Sequence, residues 1–518
     1  MEELLTQNAQ THVFNQFWLS LFLLIPLVLI SRTVVTGTRY SPILLVVVFG
    51  LVMGYILVIS GVSTPGLPDF LIIDLLSRTT IIALIASFFV GGQELRKVFG
   101  KLKVEHDDLV IHSDEVATIG TNKTQFAYIA RTFFLLLGIE TAYRAIVGID
   151  GNDSSKYYPL LAYIGLVGSV ILIDHKAVTR KKKRYIRKGI LETFAILLVL
   201  IITFYIANWI KPVIALPQIF FAMLISCSAG AVFYQWNFGP TTRALLFSGL
   251  PVVLAANFII GGSRITEVFG FGGMNSVLLF GFFGQLLWMF GGISLLIIVA
   301  KTSDVRNLAP GLAGGLSHAG LTGACTAGDL GYLAKCRTPI MINLPFLAHV
   351  FVFSVLAISA EKGGLMLIPA VIILIVGVIL TTWALRTLRV VELAKNEEHK
   401  DSKEIKGLMK FSLGWQIVAM FGSFVLLSIF GMSLDLTAIA TTSSLSHFGL
   451  FAATQSGMFG VEVAELLPFI FAMPFLVHPF VFFMFGKAMD RDGHMPNVPT
   501  FILAGVGILG ILYAVISI

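Results

Sequence analysis

Runs of about 20 apolar residues recur along the whole chain, and this feature constrains its fold more than any other. A helix of about 20 residues crosses the hydrocarbon core of a bilayer. The chain has 518 residues, of which 56% are hydrophobic and 13% charged, so little of it is left for a soluble domain. The sequence predicts an all-α polytopic membrane protein. We expect fourteen transmembrane helices, at 13–33, 42–62, 72–95, 125–148, 157–175, 188–210, 217–237, 244–262, 275–300, 339–360, 364–388, 411–431, 465–487 and 498–517.

Positively charged residues are distributed unevenly over the predicted loops. If the N-terminus lies outside, 29 of the 36 Lys and Arg residues fall on the cytoplasmic side, four fall outside and three lie within spans. Cytoplasmic loops carry such an excess, so we expect both termini outside, in the plasma (inner) membrane. The same rule accounts for the basic run 176–188 without a nucleic-acid partner and leaves open its contact with anionic lipid.

The segment LSHAGLTGACTAGDLG, residues 316–331, returns 129 positions later as LSHFGLFAATQSGMFG, residues 445–460, with 8 identities in 16 positions. Downstream, PFLAHVFVF (345–353) and PFLVHPFVF (474–482) keep the same offset, with 7 identities in 9. Chance similarity between apolar helices produces matches of Leu, Val and Ile, not paired Ser-His-x-Gly-Leu motifs. We therefore predict a duplicated core.

A weaker duplication lies earlier in the chain. FFVGGQELRKVFG (88–100) aligns with FIIGGSRITEVFG (258–270), with 6 identities in 13. An odd number of predicted spans separates the copies in both duplications, so each second copy should be inverted, as is typical of secondary transporters. The expected units are a first scaffold repeat (1–176), its inverted copy (188–270), a core repeat (275–389), a cytoplasmic linker (390–410) and an inverted core repeat (411–518).

Two polar, glycine-rich segments within the core repeats, 303–336 and 432–463, are too polar for ordinary spans and too apolar for loops. Irregular backbone is tolerated at membrane depth only where it is buried in protein or lines a cavity. We therefore predict two re-entrant hairpins that enter from opposite sides and meet near the centre. Two loosely folded loops, with structural histidines, are the alternative.

The stretches 31–57, 85–98 and 214–230, with the motif GLSHAGLTGACTA, together resemble the sodium:glutamate symporters and, more loosely, the cation:proton antiporters. The resemblance covers residues 14–335. It implies an inverted repeat with two hairpins, a dimeric scaffold, hence a homodimer, and an elevator-like core. The chain departs from that family because it has no Gly-Gly-His-Gly in its first 176 residues and its second hairpin lies in the C-terminal third.

The hairpin tips are the expected site, because they offer backbone amides, hydroxyls and imidazoles. Histidine changes charge close to neutral pH, and polar residues held in a membrane mark functional sites; bracing of the hairpins is the alternative role for the two tip histidines. The candidate substrate-binding residues are Ser317, His318, Gly320, Thr322, Ser446, His447, Gly449 and Thr454. The candidate ion-coupling residues are Thr326, Asp329, Asn343 and Ser456.

Other polar residues within the spans have a structural interpretation. His349 and His478 follow the hairpins, and we expect them to be satisfied core histidines. Glu140 and Arg144 have the i, i+4 spacing of a helical ion pair, with a coupling role as the alternative. Asp329 is either a sodium ligand or proton carrier, or a solvated residue at the entrance. Asn257 is a weaker candidate for ion ligation.

The sequence contains no nucleotide-binding loop and no hydrolase or metalloprotease motif, so we expect no enzymatic activity. It also implies no resident metal or cofactor. The favoured function is Na⁺- or H⁺-coupled symport of a small anionic solute, such as an amino acid or a dicarboxylate. A monovalent cation:proton antiporter is the first alternative, and a channel or membrane sensor is the second.

Overall fold

The structure is a computed structural model of the chain and describes residues 2–35, 41–61, 70–99, 122–149, 153–173, 179–211, 216–270, 272–393, 400–455 and 457–518. The helices of the first 270 residues are α1 (Glu2–Val35), α2 (Ile43–Ile59), α3 (Leu71–Ser77), α4 (Thr80–Phe99), α5 (Asn122–Val147), α6 (Tyr158–Ile171), α7 (Thr179–Ile210), α8 (Gln218–Val232), α9 (Pro240–Ala244), α10 (Leu250–Ser263) and α11 (Ile265–Gly270).

The helices of the remaining chain are α12 (Met274–Leu295), α13 (Val305–Leu316), α14 (Ala319–Ala327), α15 (Tyr332–Glu361), α16 (Leu367–Leu393), α17 (Lys400–Ile429), α18 (Leu434–Leu445), α19 (Phe448–Gln455), α20 (Val461–Ala472), α21 (His478–Met489) and α22 (Asn497–Ile516). Short π-helical segments, Leu245–Gly249 and Leu296–Ala300, precede α10 and follow α12.

Within the described residues, eleven helical stretches are long and apolar enough to cross a membrane, and α2 and α8 are shorter apolar helices. Large apolar side chains cover the outside of the molecule; Ile368 and Leu509 are 76% and 69% exposed. A water-soluble protein rarely exposes so much apolar surface. These findings confirm an all-α polytopic membrane protein. The predicted span 157–175 contains the 14-residue α6, and α17 begins inside the predicted linker.

The two predicted core repeats exchange their packing partners. The first helix of each repeat packs against the last helix of the other, as α12 does with α22 and α17 with α16. The polar segments follow the same rule, because α13 packs against α17 and α18 packs against α12. Neither repeat buries its apolar faces alone, so the two are held together as one core.

The second glycine of each Gly-Gly pair in the earlier duplication allows a close helix contact. A methyl carbon on Gly92 would lie 1.9 Å from the carbonyl oxygen of Cys227, and one on Gly262 would lie 2.1 Å from that of Leu51. The contacts join α4 to α8 and α10 to α2, which are again helices of opposite copies. The conserved spacing of the two pairs therefore has a packing reason.

The first glycine of each pair contacts a helix of the predicted core repeats. A methyl carbon on Gly91 would lie 2.2 Å from the carbonyl oxygen of Pro339, and one on Gly261 would lie 2.6 Å from that of Pro468. Pro339 and Pro468 are 129 positions apart, the offset of the core duplication. The two duplications thus meet each other through equivalent contacts.

Candidate functional site

Two identical turns interrupt the polar segments. Ser317 directly follows α13 and Ser446 directly follows α18, and both serines adopt the left-handed conformation, with φ of 48° and 52°. The following histidine begins the next helix as its N-cap. The Nδ1 atom of His318 accepts the backbone N–H of Leu321 at 2.9 Å, and that of His447 accepts the N–H of Leu450 at 3.0 Å. Each Ser-His pair therefore ends one helix and caps the next.

The two turns lie directly against each other. The backbone N–H of Ala319 donates to the carbonyl of Ser446 at 2.8 Å, and the N–H of Phe448 donates to the carbonyl of Ser317 at 3.0 Å. These two bonds form an antiparallel bridge between His318 and His447. The four Ser and His residues are at most 1% exposed. Each turn thus satisfies backbone groups that the other leaves open.

Each tip histidine belongs to a cluster with a glutamine and a second histidine. The Nε2 atom of Gln285 on α12 lies 2.5 Å from Nε2 of His318 and 3.0 Å from Nε2 of His478. His318 lies in the first core repeat and His478 in the second. This first cluster is therefore built from both repeats.

The second cluster repeats the arrangement with the repeats exchanged. The Nε2 atom of Gln416 on α17 lies 2.8 Å from Nε2 of His447 and 2.9 Å from Nε2 of His349. All four histidines and Gln416 are fully buried, and Gln285 is 1% exposed. His349 and His478 were expected from the sequence to be satisfied core histidines. They are buried and each shares a glutamine with a tip histidine, but the Nδ1 atom of each has no partner in the described residues.

The hydrogen bonds assign the protons of the clusters. Because Nδ1 of His318 accepts a backbone N–H, the proton of its uncharged imidazole is on Nε2, which therefore donates. An amide nitrogen cannot accept that bond, whereas the Oε1 atom of Gln285, which has no partner among the described residues, can. The amide of Gln285 therefore presents its oxygen to Nε2 of His318. Nε2 of His478 lies within reach of the same amide and 3.2 Å from Nε2 of His318. The same reasoning applies to Gln416 and His447.

This assignment leaves one imidazole nitrogen per cluster without a partner in the described part of the chain. It is Nδ1 of His478 in one cluster and Nδ1 of His349 in the other. Each points at a tip glycine, because Nδ1 would lie 2.9 Å from a methyl carbon on Gly320 or Gly449, respectively. A buried acceptor without a partner costs free energy, and such groups mark places where a proton or a ligand binds.

Hydroxyl groups add to the unsatisfied polar atoms at the turns. Within the described residues, no hydrogen-bond partner is found for the buried hydroxyls of Ser317, Thr322, Thr441, Ser443 and Ser446. By contrast, Thr326 donates to the carbonyl of Thr322 at 2.8 Å and Thr454 donates to that of Leu450 at 2.8 Å. The described residues contain no cluster of three or more His, Cys, Asp or Glu side chains suited to a metal ion. Hydroxyl and carbonyl oxygens are ligands suited to a hard monovalent cation.

Three of the four candidate ion-coupling residues occupy places other than the tips, and the fourth is undescribed. Thr326 lies at the far end of α14. Asp329, beyond that helix, accepts a hydrogen bond from the hydroxyl of Ser41 at 3.3 Å. Asn343 donates to the carbonyls of Phe88 and Pro339 at 3.2 and 2.8 Å, where α15 meets α4. Ser456 lies outside the described residues.

Neither glutamine is among the residues predicted from the sequence. Gln285 and Gln416 are 131 positions apart, not 129, so an ungapped alignment of the core repeats places Gln285 opposite Gly414. The available signal was a single amide in the middle of an apolar span. Buried amides within membrane helices are costly unless they are bonded, and this cost singles out both residues.

A cavity of about 640 Å³ lies beside the second polar segment. One wall is the end of α19, with Ala452, Gln455 and Met458, and the opposite wall is formed by α4, α5, α7 and α8. Charged residues line it: Arg78, Glu140, Arg144, Lys211 and Glu361. Glu140 and Arg144 form the expected ion pair, with Oε1 and Nε 2.7 Å apart. Asp329 contacts Ser41, whereas its counterpart in the second repeat, Met458, lines this open space.

Comparisons of the chain with protein-family models, with curated proteins and with solved structures gave no match.

Proposed function

We propose that the protein is an ion-coupled secondary transporter that moves a small anionic solute, such as an amino acid or a dicarboxylate, together with Na⁺ or H⁺. The observation that carries the proposal is the contact between two sequence-related turns, beside which buried hydroxyls and the Nδ1 atoms of two imidazoles have no partner in the described residues. Secondary transporters bind their substrates near the membrane centre, at the interface between repeats and on interrupted helices. In this proposal the two polar segments are re-entrant hairpins of a fourteen-span, inverted-repeat homodimer that works as an elevator.

The need for a coupling cation follows from the absence of positively charged residues in the sequence around the tips. No Lys or Arg lies between residues 307 and 334 or between 411 and 486. A helix terminus stabilises an anion by about 0.3–1 kcal/mol when exposed and by up to about 2 kcal/mol when partly buried. Desolvation of a carboxylate costs several kcal/mol, which exceeds the contribution of two termini. A cation must therefore bind with the anion, and the free hydroxyls supply its ligands.

The cavity provides the entry route in this proposal. Arg78, Arg144 and Lys211 line it, and positive charge along a cleft raises the local concentration of anions. Glu140 and Glu361 share the lining, which suits a solute that also carries an ammonium group. The positive-inside rule puts this end of α7 outside the membrane, so the cavity would receive external solute.

A cation:proton antiporter is the second candidate, and a specific observation favours it. Four fully buried imidazoles surround the meeting turns, and two of them have an Nδ1 atom without a partner in the described residues. A proton on either nitrogen would change the charge of the site by one unit. In an antiporter this proton would exchange with the cation rather than accompany an anion.

Uptake into proteoliposomes separates the two candidates. We expect an inward Na⁺ or H⁺ gradient to drive accumulation of radiolabelled glutamate, aspartate or succinate, and calorimetry should show that the ion lowers the apparent Kd of the anion. By linkage the anion should tighten ion binding by the same factor. Anion affinity that does not change with Na⁺ or with pH, together with Na⁺-driven proton movement, would replace the symporter by the antiporter.

Variants locate the site. Gln285→Leu removes the amide within reach of two imidazoles at the turns, so we expect at least a tenfold loss of anion affinity. Gln93→Leu is the matched control, because the amide of this buried residue also donates two hydrogen bonds, to the carbonyls of Phe233 and Trp236, but away from the turns. Equal losses of affinity in the two variants, at equal amounts of folded protein, would place the site elsewhere.

Single cysteines test the inverted arrangement. Arg306 and Asp435 lie near the starts of the two polar segments and are accessible to solvent. In a background without Cys227, Cys325 and Cys336, an impermeant maleimide should label Arg306→Cys from the cytoplasm and Asp435→Cys from outside. Labelling of both from one side would contradict the inversion.

A further inference from the structure

An apolar groove on the outside of the predicted scaffold is unconnected with the turns. It has a volume of about 240 Å³ and lies between α4, α7 and α8. Its lining is almost entirely apolar, and small side chains leave the space open. The lining includes Phe89, Ala195, Ile196, Val199 and Phe233. A groove of this kind in a membrane helix bundle accommodates hydrocarbon.

One end of the groove carries concentrated positive charge. α7 begins in the basic run, and seven Lys and Arg residues lie between positions 180 and 188. The ammonium of Lys188 lies 5.0 Å from the ring centre of Trp236, which lines the same end of the groove. Lys188 is also close enough to Arg184 and Arg243 to be repelled by their charges, and to Glu192 to be attracted by its charge.

The carboxylate of Glu192, at this end of the groove, is already engaged in hydrogen bonds to the backbone. Glu192 accepts the backbone N–H groups of Gly239 and Thr242, at 2.5 and 3.1 Å, and so caps the start of α9. It is 6% exposed. One engaged carboxylate beside Arg184 and Lys188 leaves an excess of positive charge, which an external anion would neutralise.

We propose that the groove and its basic end bind one anionic phospholipid, with an acyl chain between Phe89 and Val199 and the headgroup phosphate against Arg184 and Lys188. The apolar groove alone would accept any lipid, and the basic end alone would accept any phosphate. Because the groove and the basic end lie side by side, together they favour a lipid with a phosphate headgroup. Trp residues favour the boundary between hydrocarbon and headgroups, which is where the proposal puts Trp236. Basic residues beside a membrane helix attract anionic lipids. The proposal does not rest on the transport function.

The test uses the full-length protein purified in a neutral detergent, with phosphatidylglycerol as the probe and phosphatidylcholine of the same chain length as the comparison. Native mass spectrometry measures bound lipid, and thermal unfolding measures the shift in Tm. We expect phosphatidylglycerol to bind at least tenfold more tightly than phosphatidylcholine. Each cation removed should weaken that binding about fivefold, and Arg184→Gln with Lys188→Gln about 30-fold.

Two further variants separate the parts of the site. Ala195→Trp fills the groove and should abolish the lipid-induced Tm shift without removing a charge. Lys211→Gln, at the other end of the same helix α7, removes a charge far from the groove and should bind lipid as the unmodified protein does. The proposal is overturned if Lys211→Gln loses as much lipid binding as the double variant.

Other occupants give distinct results, each of which overturns the proposal. Inorganic phosphate or glycerol 3-phosphate that reproduces the Tm shift would identify a soluble phosphate site. Ala195→Trp that lowers the fraction of dimer and leaves lipid binding unchanged would identify the groove as a contact between two copies of the chain. Equal binding of phosphatidylglycerol and phosphatidylcholine would identify a nonspecific lipid surface.

Discussion

A methyl group at either tip glycine should disrupt the cluster opposite it. In Gly320→Ala the new carbon would lie 2.3 Å from Cε1 of His478, and in Gly449→Ala it would lie 2.2 Å from Cε1 of His349. Both distances are far below van der Waals contact, so the imidazole must turn away. Each ring would then lose its hydrogen bond to the shared glutamine.

The magnitude follows from these two effects. Overpacking of a filled core costs about 1–3 kcal/mol, and a buried polar group left without its partner costs about 1–3 kcal/mol more. We therefore expect each substitution to lower the free energy of unfolding by about 2–6 kcal/mol. Gly505→Ala is the control, because no atom lies within 4 Å of its added carbon; in a helix it should be neutral or stabilise by about 0.5–1 kcal/mol.

A double-mutant cycle identifies the histidine responsible. In a His478→Ala background the methyl of Gly320→Ala no longer meets the imidazole and keeps only its 3.0 Å contact with Cε1 of Phe475. Its cost should therefore fall by at least about 2 kcal/mol. His349→Ala should not relieve Gly320→Ala, but it should relieve Gly449→Ala. The measurement is the free energy of unfolding in denaturant, in one detergent for all variants. Additive effects in both backgrounds, or relief by the wrong histidine, would refute the exchanged clusters.

Three further predictions concern packing, charge and protonation. Gly92→Ala and Gly262→Ala should each destabilise the protein by about 1–3 kcal/mol, because the added methyl would clash with a backbone carbonyl. Gly270→Ala is the control, because its methyl would enter open space. Thermal unfolding measures the losses, and unequal losses for Gly92→Ala and Gly262→Ala would argue against equivalent contacts. Glu404→Ala should lower the free energy of unfolding in denaturant by about 3–5 kcal/mol. It removes the carboxylate that accepts a hydrogen bond from Asn307 and pairs with Arg337 at 3.2 Å, and the side chain of Arg337 is only 5% exposed. A loss below about 1 kcal/mol, typical of a surface ion pair, would contradict a buried role. Solid-state ¹⁵N NMR of labelled histidine should show the proton on Nε2 of His318 and His447, and a protonated Nδ1 at either would overturn the assignment of the glutamine amides.

The two turns could be predicted in part because each repeated motif is a short, continuous stretch of sequence. The repeated Ser-His-x-Gly motif led to the prediction of two related segments that meet, and each motif forms a turn with the same left-handed serine and the same histidine cap. The Gly-Gly pairs were found as an alignment, and their role in close packing became visible only with the neighbouring carbonyls. The glutamines were missed because their spacing differs by two residues from that of the repeat.

The sequence by itself determined the class of the protein, because helix formation and burial in lipid depend on residues that are near one another in the chain. It also determined the turns, since a helix end and its cap lie within four residues. The tertiary structure alone decided which histidine shares which glutamine. Gln285 contacts His318 at a separation of 33 residues and His478 at 193, and such pairings depend on how the two repeats pack across each other. No local pattern distinguishes His478 from His349 as the partner of the first tip, because the two lie in nearly identical sequences.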